Sequence, residues 1–114
     1  MQAIVLARVS SREQEDSNSI PAQTRRLHEY ADRTGLQILE TYQLVESSTK
    51  ANRRKFNELI ARIKVSDQRI ALVVDTIDRL QRDFKESVML NELRLENKIE
   101  LHFVRENLII NQIS

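Results

Sequence analysis

The chain has 114 residues and a formal net charge of +1, from 18 Lys and Arg against 17 Asp and Glu, so it can bury one core but lacks the overall positive field of a stand-alone nucleic-acid binder. With no cysteine, disulfides, thiolate zinc sites and cysteine nucleophiles are excluded together, which agrees with a cytoplasmic setting. A hydrophobic fraction of 40% beside 31% charged residues fits a soluble globular domain, and no apolar run is long enough to span a bilayer or flanked like a secretory leader.

The first element is an unbroken apolar run, Ala3, Ile4, Val5, Leu6, Ala7, which delivers Arg8, Val9 and Ser10 into a polar loop. Such a run reads as a strand buried on both faces, as in the middle of a parallel sheet. Ser10 to Ser19 has no apolar residue and reads as a loop. Ser19 and Pro21 then open a helix over Ile20 to Thr34, with a stripe of Ile20, Leu27, Tyr30 and Ala31 and the sole glycine, Gly35, closing it at C′. Leu36, Ile38, Tyr42 and Leu44 alternate as a half-exposed second strand. After a polar loop from Glu46 to Asn52, the spacing of Phe56, Leu59, Ile60 and Ile63 predicts a second helix from about Arg53 to Val65.

Ile70 to Val74 repeats the apolar character of the first strand and is the second central strand. Asp75 to Arg82 is a charged turn, and Asp83 with Glu86 resembles a capping box for a third helix. Phe84, Val88, Asn91 and Leu95, with Met89 and Leu93, trace that helix. Ile99, Leu101 and Phe103 alternate as a fourth strand. The tail from Arg105 to Ser114, with Leu108, Ile109, Ile110 and Ile113, either packs back on the domain or continues in a longer protein.

The alternation of strands and helices predicts an α/β fold with a mainly parallel sheet, right-handed crossovers and helices on both faces. Placing the two continuous apolar strands in the middle gives the order 2-1-3-4. The winding reverses between strands one and three, so a crevice opens at their carboxyl ends. Ser10 follows one of these strands and Asp75 to Arg82 follows the other, while the loop from Glu46 to Arg53 leaves the neighbouring strand at the same edge.

These loops supply Arg8 and Ser10, then Ser47, Arg53 and Arg54, then Asp78, Arg79 and Arg82. In isolation, Asp78 with Arg82 reads as a solvated i, i+4 pair, Arg53 and Arg54 as a solvated helix start, and Ser10 as a turn former. Together they are less easily dismissed, because arginines at helix starts oppose the helix dipole unless an anion is present. One hydroxyl among guanidiniums suits attack on phosphorus. His28 and His102 read as surface residues of a helix and a strand. A single glycine excludes a dinucleotide fingerprint or a Walker loop, and no carboxylate-histidine set suggests a metal site.

The segments Leu6-Ala7-Arg8-Val9-Ser10, Gln14, Ser19, Gln23, Ser47 with Arg53, and Ile77-Asp78-Arg79-Leu80-Gln81-Arg82 resemble, in order and spacing, the N-terminal catalytic domain of the serine recombinases, the resolvase and invertase family. The resemblance covers nearly the whole chain and implies the resolvase-like three-layer fold. It implies a site-specific DNA recombinase that uses neither metal nor nucleotide cofactor, in which Ser10 forms a 5′-phosphoserine link and releases a 3′-hydroxyl. By matching positions, Arg8, Arg53, Arg79 and Arg82 would bind the scissile phosphate, and Asp78 would orient an arginine or assist proton transfer. Gln14, Gln23 and Ser47 would support the site.

Leu6 stands where the family commonly has tyrosine, Ser48 where it has glycine, Arg54 where it often has proline, and Gln81 where it often has a small residue. The resemblance further implies that residues 1–114 are one catalytic domain of a longer prokaryotic recombinase. Its partner would be recombination-site DNA, and it would form a homodimer that assembles to a tetramer. The alternative is a recombinase-like fold kept as a catalytically silent oligomerisation or regulatory module.

Overall fold

The computed structural model describes residues 1–9, 20–45, 49–76 and 84–111. Its centre is β1 (Gln2–Val9), whose residues Ala3 to Ala7 are all buried. The run is apolar on both faces because helices cover both. Then follow α1 (Ile20–Thr34), β2 (Gln37–Val45), α2 (Thr49–Lys64), β3 (Ile70–Val74), α3 (Phe84–Leu95), β4 (Ile99–Phe103) and β5 (Leu108–Ile110). The sheet order is β2-β1-β3-β4-β5, as expected for the first four strands. Those four are parallel, and β5, which turns the tail back on the domain, pairs antiparallel with β4.

The two faces are packed differently because their residues differ in size. Ala3, Val5 and Ala7 of β1, with Ala71 and Val73 of β3, are small and admit one closely seated helix, α1, through Ile20, Leu27, Tyr30 and Ala31. On the other face Ile4, Leu6, Leu72, Val74, Leu101 and Phe103 form a broad apolar surface. It is covered jointly by Phe56, Leu59, Ile60 and Ile63 of α2 and Leu90 and Leu93 of α3. The result is the expected three-layer arrangement, with the winding reversal between β1 and β3.

Two of the three helix ends, those of α1 and α3, are Schellman motifs. At α1 the Leu36 N–H reaches the Ala31 carbonyl at 2.8 Å and the Gly35 N–H that of Asp32 at 3.3 Å, with Gly35 at φ 76°. At α3 the Lys98 N–H reaches Leu93 at 2.9 Å and Asn97 N–H reaches Arg94 at 3.0 Å. Asn97, at φ 62°, takes the left-handed place that glycine takes at α1.

Several local expectations are corrected. The alternation in β2 does not lie on one face, because the register slips from Ala3↔Ile38 to Ile4↔Glu40. Leu39 is the extra residue, so Leu36 and Ile38 pack beneath α1 while Tyr42 and Leu44 pack on the opposite side. Helix α2 begins at Thr49 instead of near Arg53, about one turn earlier. Of the residues that trace α3, Met89 and Leu93 face the core beside Leu90, whereas Val88 and Leu95 are 40% and 52% exposed.

Candidate active site

Arg8 lies at the carboxyl end of β1, paired with Leu44 of β2. On the other side β3 has already ended, its last pair with β1 being Leu6↔Val74. The place of a partner strand is taken by a side chain. The Arg8 N–H donates to Gln23 Oε1 at 3.3 Å, and Gln23 Nε2 donates to the Arg8 carbonyl at 3.1 Å. A primary amide carries a donor and an acceptor side by side, as a peptide does, and so can complete a ladder. Gln23 is fully buried in α1 and fixes the backbone two residues before Ser10.

The Arg8 side chain projects to the opposite face, with Ile4 and Leu6, and its guanidinium is buried. Nη2 donates to Glu86 Oε1 at 2.7 Å and to Oε2 at 3.1 Å, and the side chains of Arg8 and Glu86 are only 6% and 16% exposed. A charge near the end of a central strand has to be paired or at an edge, and here it is paired. Glu86 stands in the first turn of α3, where an acid also suits the helix dipole. The capping box expected from sequence would place a glutamate there, and Asp83, its other member, lies outside the described residues. Nothing in the sequence signals the contact across 78 positions.

A second missed group is Asp75, fully buried directly after β3. Its Oδ2 accepts from Arg26 Nη2 of α1 at 3.0 Å and forms an ion pair with Arg105 Nε at 3.2 Å. Its backbone carbonyl accepts the Arg105 N–H at 3.0 Å. The carboxylate thereby ties α1 and the turn after β4 to the end of β3, on the α1 side of the sheet edge that β1 also reaches. A residue assigned to a charged turn is thus the buried hub of three elements.

Of the residues singled out from sequence, the structure brings Arg8 and Gln23 together. Arg53 lies in the second turn of α2, exposed, in a shallow depression with Arg54, Asn57, Glu58 and Ala61. Arg53 and Arg54 therefore lie beyond the turn over which the helix dipole acts. Ser10, Gln14, Ser47, Asp78, Arg79 and Arg82 lie outside the described residues.

His102 is not a surface residue. It is 5% exposed, with Nδ1 2.6 Å from the Tyr30 hydroxyl and Nε2 3.0 Å from Glu100 Oε1. Glu100 in turn meets Arg69 at 3.2 Å. Burial pushes the Tyr30 phenol up from its ordinary value, with Arg33 opposing and Glu100 adding to the rise. This network joins α1 to β4 and is separate from Arg8. His28 is half-buried, 2.9 Å from Thr41 Oγ1. Among the described residues no group of three or more histidine, aspartate or glutamate side chains is placed to hold a metal ion.

The strand-helix order and the sheet order are those of resolvase-type catalytic domains. The chain belongs to that family: the family described as Resolvase, N terminal domain matches residues 3–113. It is similar to the N-terminal catalytic domain of TP901-1 integrase, at 27% identity and a TM-score of 0.77, over 96% of this chain and 82% of that one. A resolvase family site-specific recombinase from Streptococcus pneumoniae has the same fold, with a TM-score of 0.73 at 19% identity, over 96% of this chain and 75% of the other. No curated relative matches the sequence. No helix among the described residues is long and apolar enough to cross a membrane.

Proposed function

We propose that this domain cleaves and rejoins DNA phosphodiesters at recombination sites, with Ser10 as the nucleophile. One observation supports the reading above the others. Arg8, two residues before Ser10, is a buried cation anchored through both its backbone and its guanidinium at the end of a central strand, in a chain of the resolvase family.

In this reading Ser10 Oγ attacks the scissile phosphorus. The bond from phosphorus to the 3′ oxygen breaks as the bond to Oγ forms, and the proton lost from the serine is matched by one gained at the 3′ oxygen. The product is a 5′-phosphoserine link and a free 3′-hydroxyl. Attack by a 3′-hydroxyl on that link reseals the strand, and because the link conserves the phosphodiester no nucleotide is consumed. Arg8, Arg53, Arg79 and Arg82 neutralise charge on the non-bridging oxygens. Asp78 orients an arginine or carries the proton to the leaving oxygen. Gln14 and Ser47 support the loops, and Gln23 fixes the approach to Ser10.

Residues 1–114 act here as one catalytic domain of a longer cytoplasmic recombinase, which dimerises and pairs into tetramers on its DNA sites. The domain alone is inactive. The test uses the full-length protein and a nicked recombination-site duplex, with the covalent protein-DNA adduct as readout. The parent is expected to accumulate the adduct and Ser10→Ala to form none. An adduct formed equally by Ser10→Ala would remove Ser10 as the nucleophile.

A further inference from the structure

We infer that Glu86 is a positioning residue for the proposed reaction, acting through Arg8. The inference rests on the recombinase reading of Arg8, and no part of it requires Glu86 to touch DNA. Three observations carry it.

The first is burial. An arginine whose side chain is 6% exposed needs a countercharge close by, and Glu86 supplies it at 2.7 Å. The second is the shape of the contact. Both carboxylate oxygens bear on one nitrogen, Nη2, at 2.7 and 3.1 Å. The carboxylate therefore grips a corner of the guanidinium, which differs from the two-nitrogen fork used in bidentate anion pairs. Such a contact holds the guanidinium at one nitrogen, a geometry distinct from that of a forked phosphate contact.

The third is where the two residues sit in the chain. Arg8 ends the strand that leads to Ser10, and Glu86 is in the first turn of the helix that follows residues 77–83, the segment carrying Asp78, Arg79 and Arg82. The ion pair thus sets the end of β1 against the start of α3. It places the entry to one proposed catalytic segment relative to the exit from another, and a change at Glu86 is felt at both. The capping role suggested by Asp83 and Glu86 in sequence accounts for neither the partner nor the burial.

The experiment measures single-turnover adduct formation by the full-length recombinase on nicked site DNA, with DNA affinity measured separately. For Glu86→Gln we expect the rate at saturating DNA to fall on the order of 100-fold, with affinity changed by less than about threefold, as for misplacement of a reacting group. Glu86→Asp, which keeps the charge one methylene short, should fall between that variant and the parent. In an Arg8→Gln background, Glu86→Gln should add no further loss, because the two act as one unit.

Circular dichroism establishes that each variant is folded. Should Glu86→Gln unfold, the Arg8→Gln/Glu86→Gln double variant, which removes both charges, is compared with Arg8→Gln alone and must match it. A Glu86→Gln rate equal to or above the parental rate would overturn the inference, and so would a loss of the same size in the Arg8→Gln background. Ser10→Ala, run alongside, separates the two claims. An adduct formed equally by that variant removes Ser10 as the nucleophile of the proposed reaction, whereas its absence together with a fast Glu86→Gln sinks only the role of Glu86.

Discussion

Gln23 and Arg8 illustrate how one side chain can act as a piece of secondary structure. The amide of Gln23 stands where β3 no longer reaches, and both Arg8 peptide groups on that side depend on it. Gln23→Leu should therefore cost about 1–3 kcal/mol, the penalty for buried polar groups left without partners. A shift of the urea midpoint measures this, and parental stability would mean that the clasp contributes nothing. A different residue-scale expectation concerns the proposed phosphate site. Arg82→Lys should slow adduct formation by about a hundredfold or more, because an ammonium cannot reproduce a planar fork; near-parental turnover would argue against direct phosphate contact by Arg82.

At the scale of elements, α3 is the informative case. Its apolar residues run almost all the way round, so periodicity alone did not select the inward side. Its periodicity runs through Phe84, Val88, Asn91 and Leu95 with Met89 and Leu93, whereas packing buries Leu90 and Leu93 and leaves Val88 and Leu95 exposed. Leu90→Ala and Leu93→Ala should each cost about 2–5 kcal/mol, whereas Val88→Ala and Leu95→Ala should stay within about 0.5 kcal/mol. Comparable losses at all four positions would show that the helix is seated differently. The early start of α2 was illegible for a related reason. Its first turn, Thr49 to Asn52, carries no large apolar residue, so the stripe that marks the helix begins only at Phe56.

At the scale of the molecule, two polar networks tie α1 to strands on the far side of β1. Asp75 joins Arg26 and Arg105. Its replacement by Ala should cost about 1–3 kcal/mol, less than for a fully enclosed pair because both arginines reach solvent; denaturant titration tests this. The second joins Tyr30 to His102 and Glu100, and burial of the Tyr30 phenol gives a pH dependence. The folded state raises the Tyr30 pKa from its ordinary value of 10.0, so it holds the phenolic proton more tightly than the unfolded chain does. Its stabilisation is complete below that value and is lost as the pH rises through the folded pKa. Tyr30→Phe should flatten the alkaline fall of stability, leaving the share from Tyr42, whose pKa is also raised. An equally steep fall in Tyr30→Phe would contradict the assignment.

The sequence by itself determined the strand-helix order, the two central strands and the sheet order through β4. Continuous apolar runs and a glycine stop are local signals that survive without knowledge of neighbours. It also supplied the family resemblance, because the motif residues are counted along the chain. Only the tertiary structure decided which face each half of β2 presents, since the slip at Ala3/Ile4 depends on the partner strand. It alone showed that His102 is buried, because an alternating strand conceals whether a helix covers its polar side. Above all it decided that Arg8 pairs with Glu86 and that Asp75 gathers two arginines. Charge pairs between residues far apart in sequence leave no periodicity, and burial sets what they contribute by removing the water that would otherwise screen them.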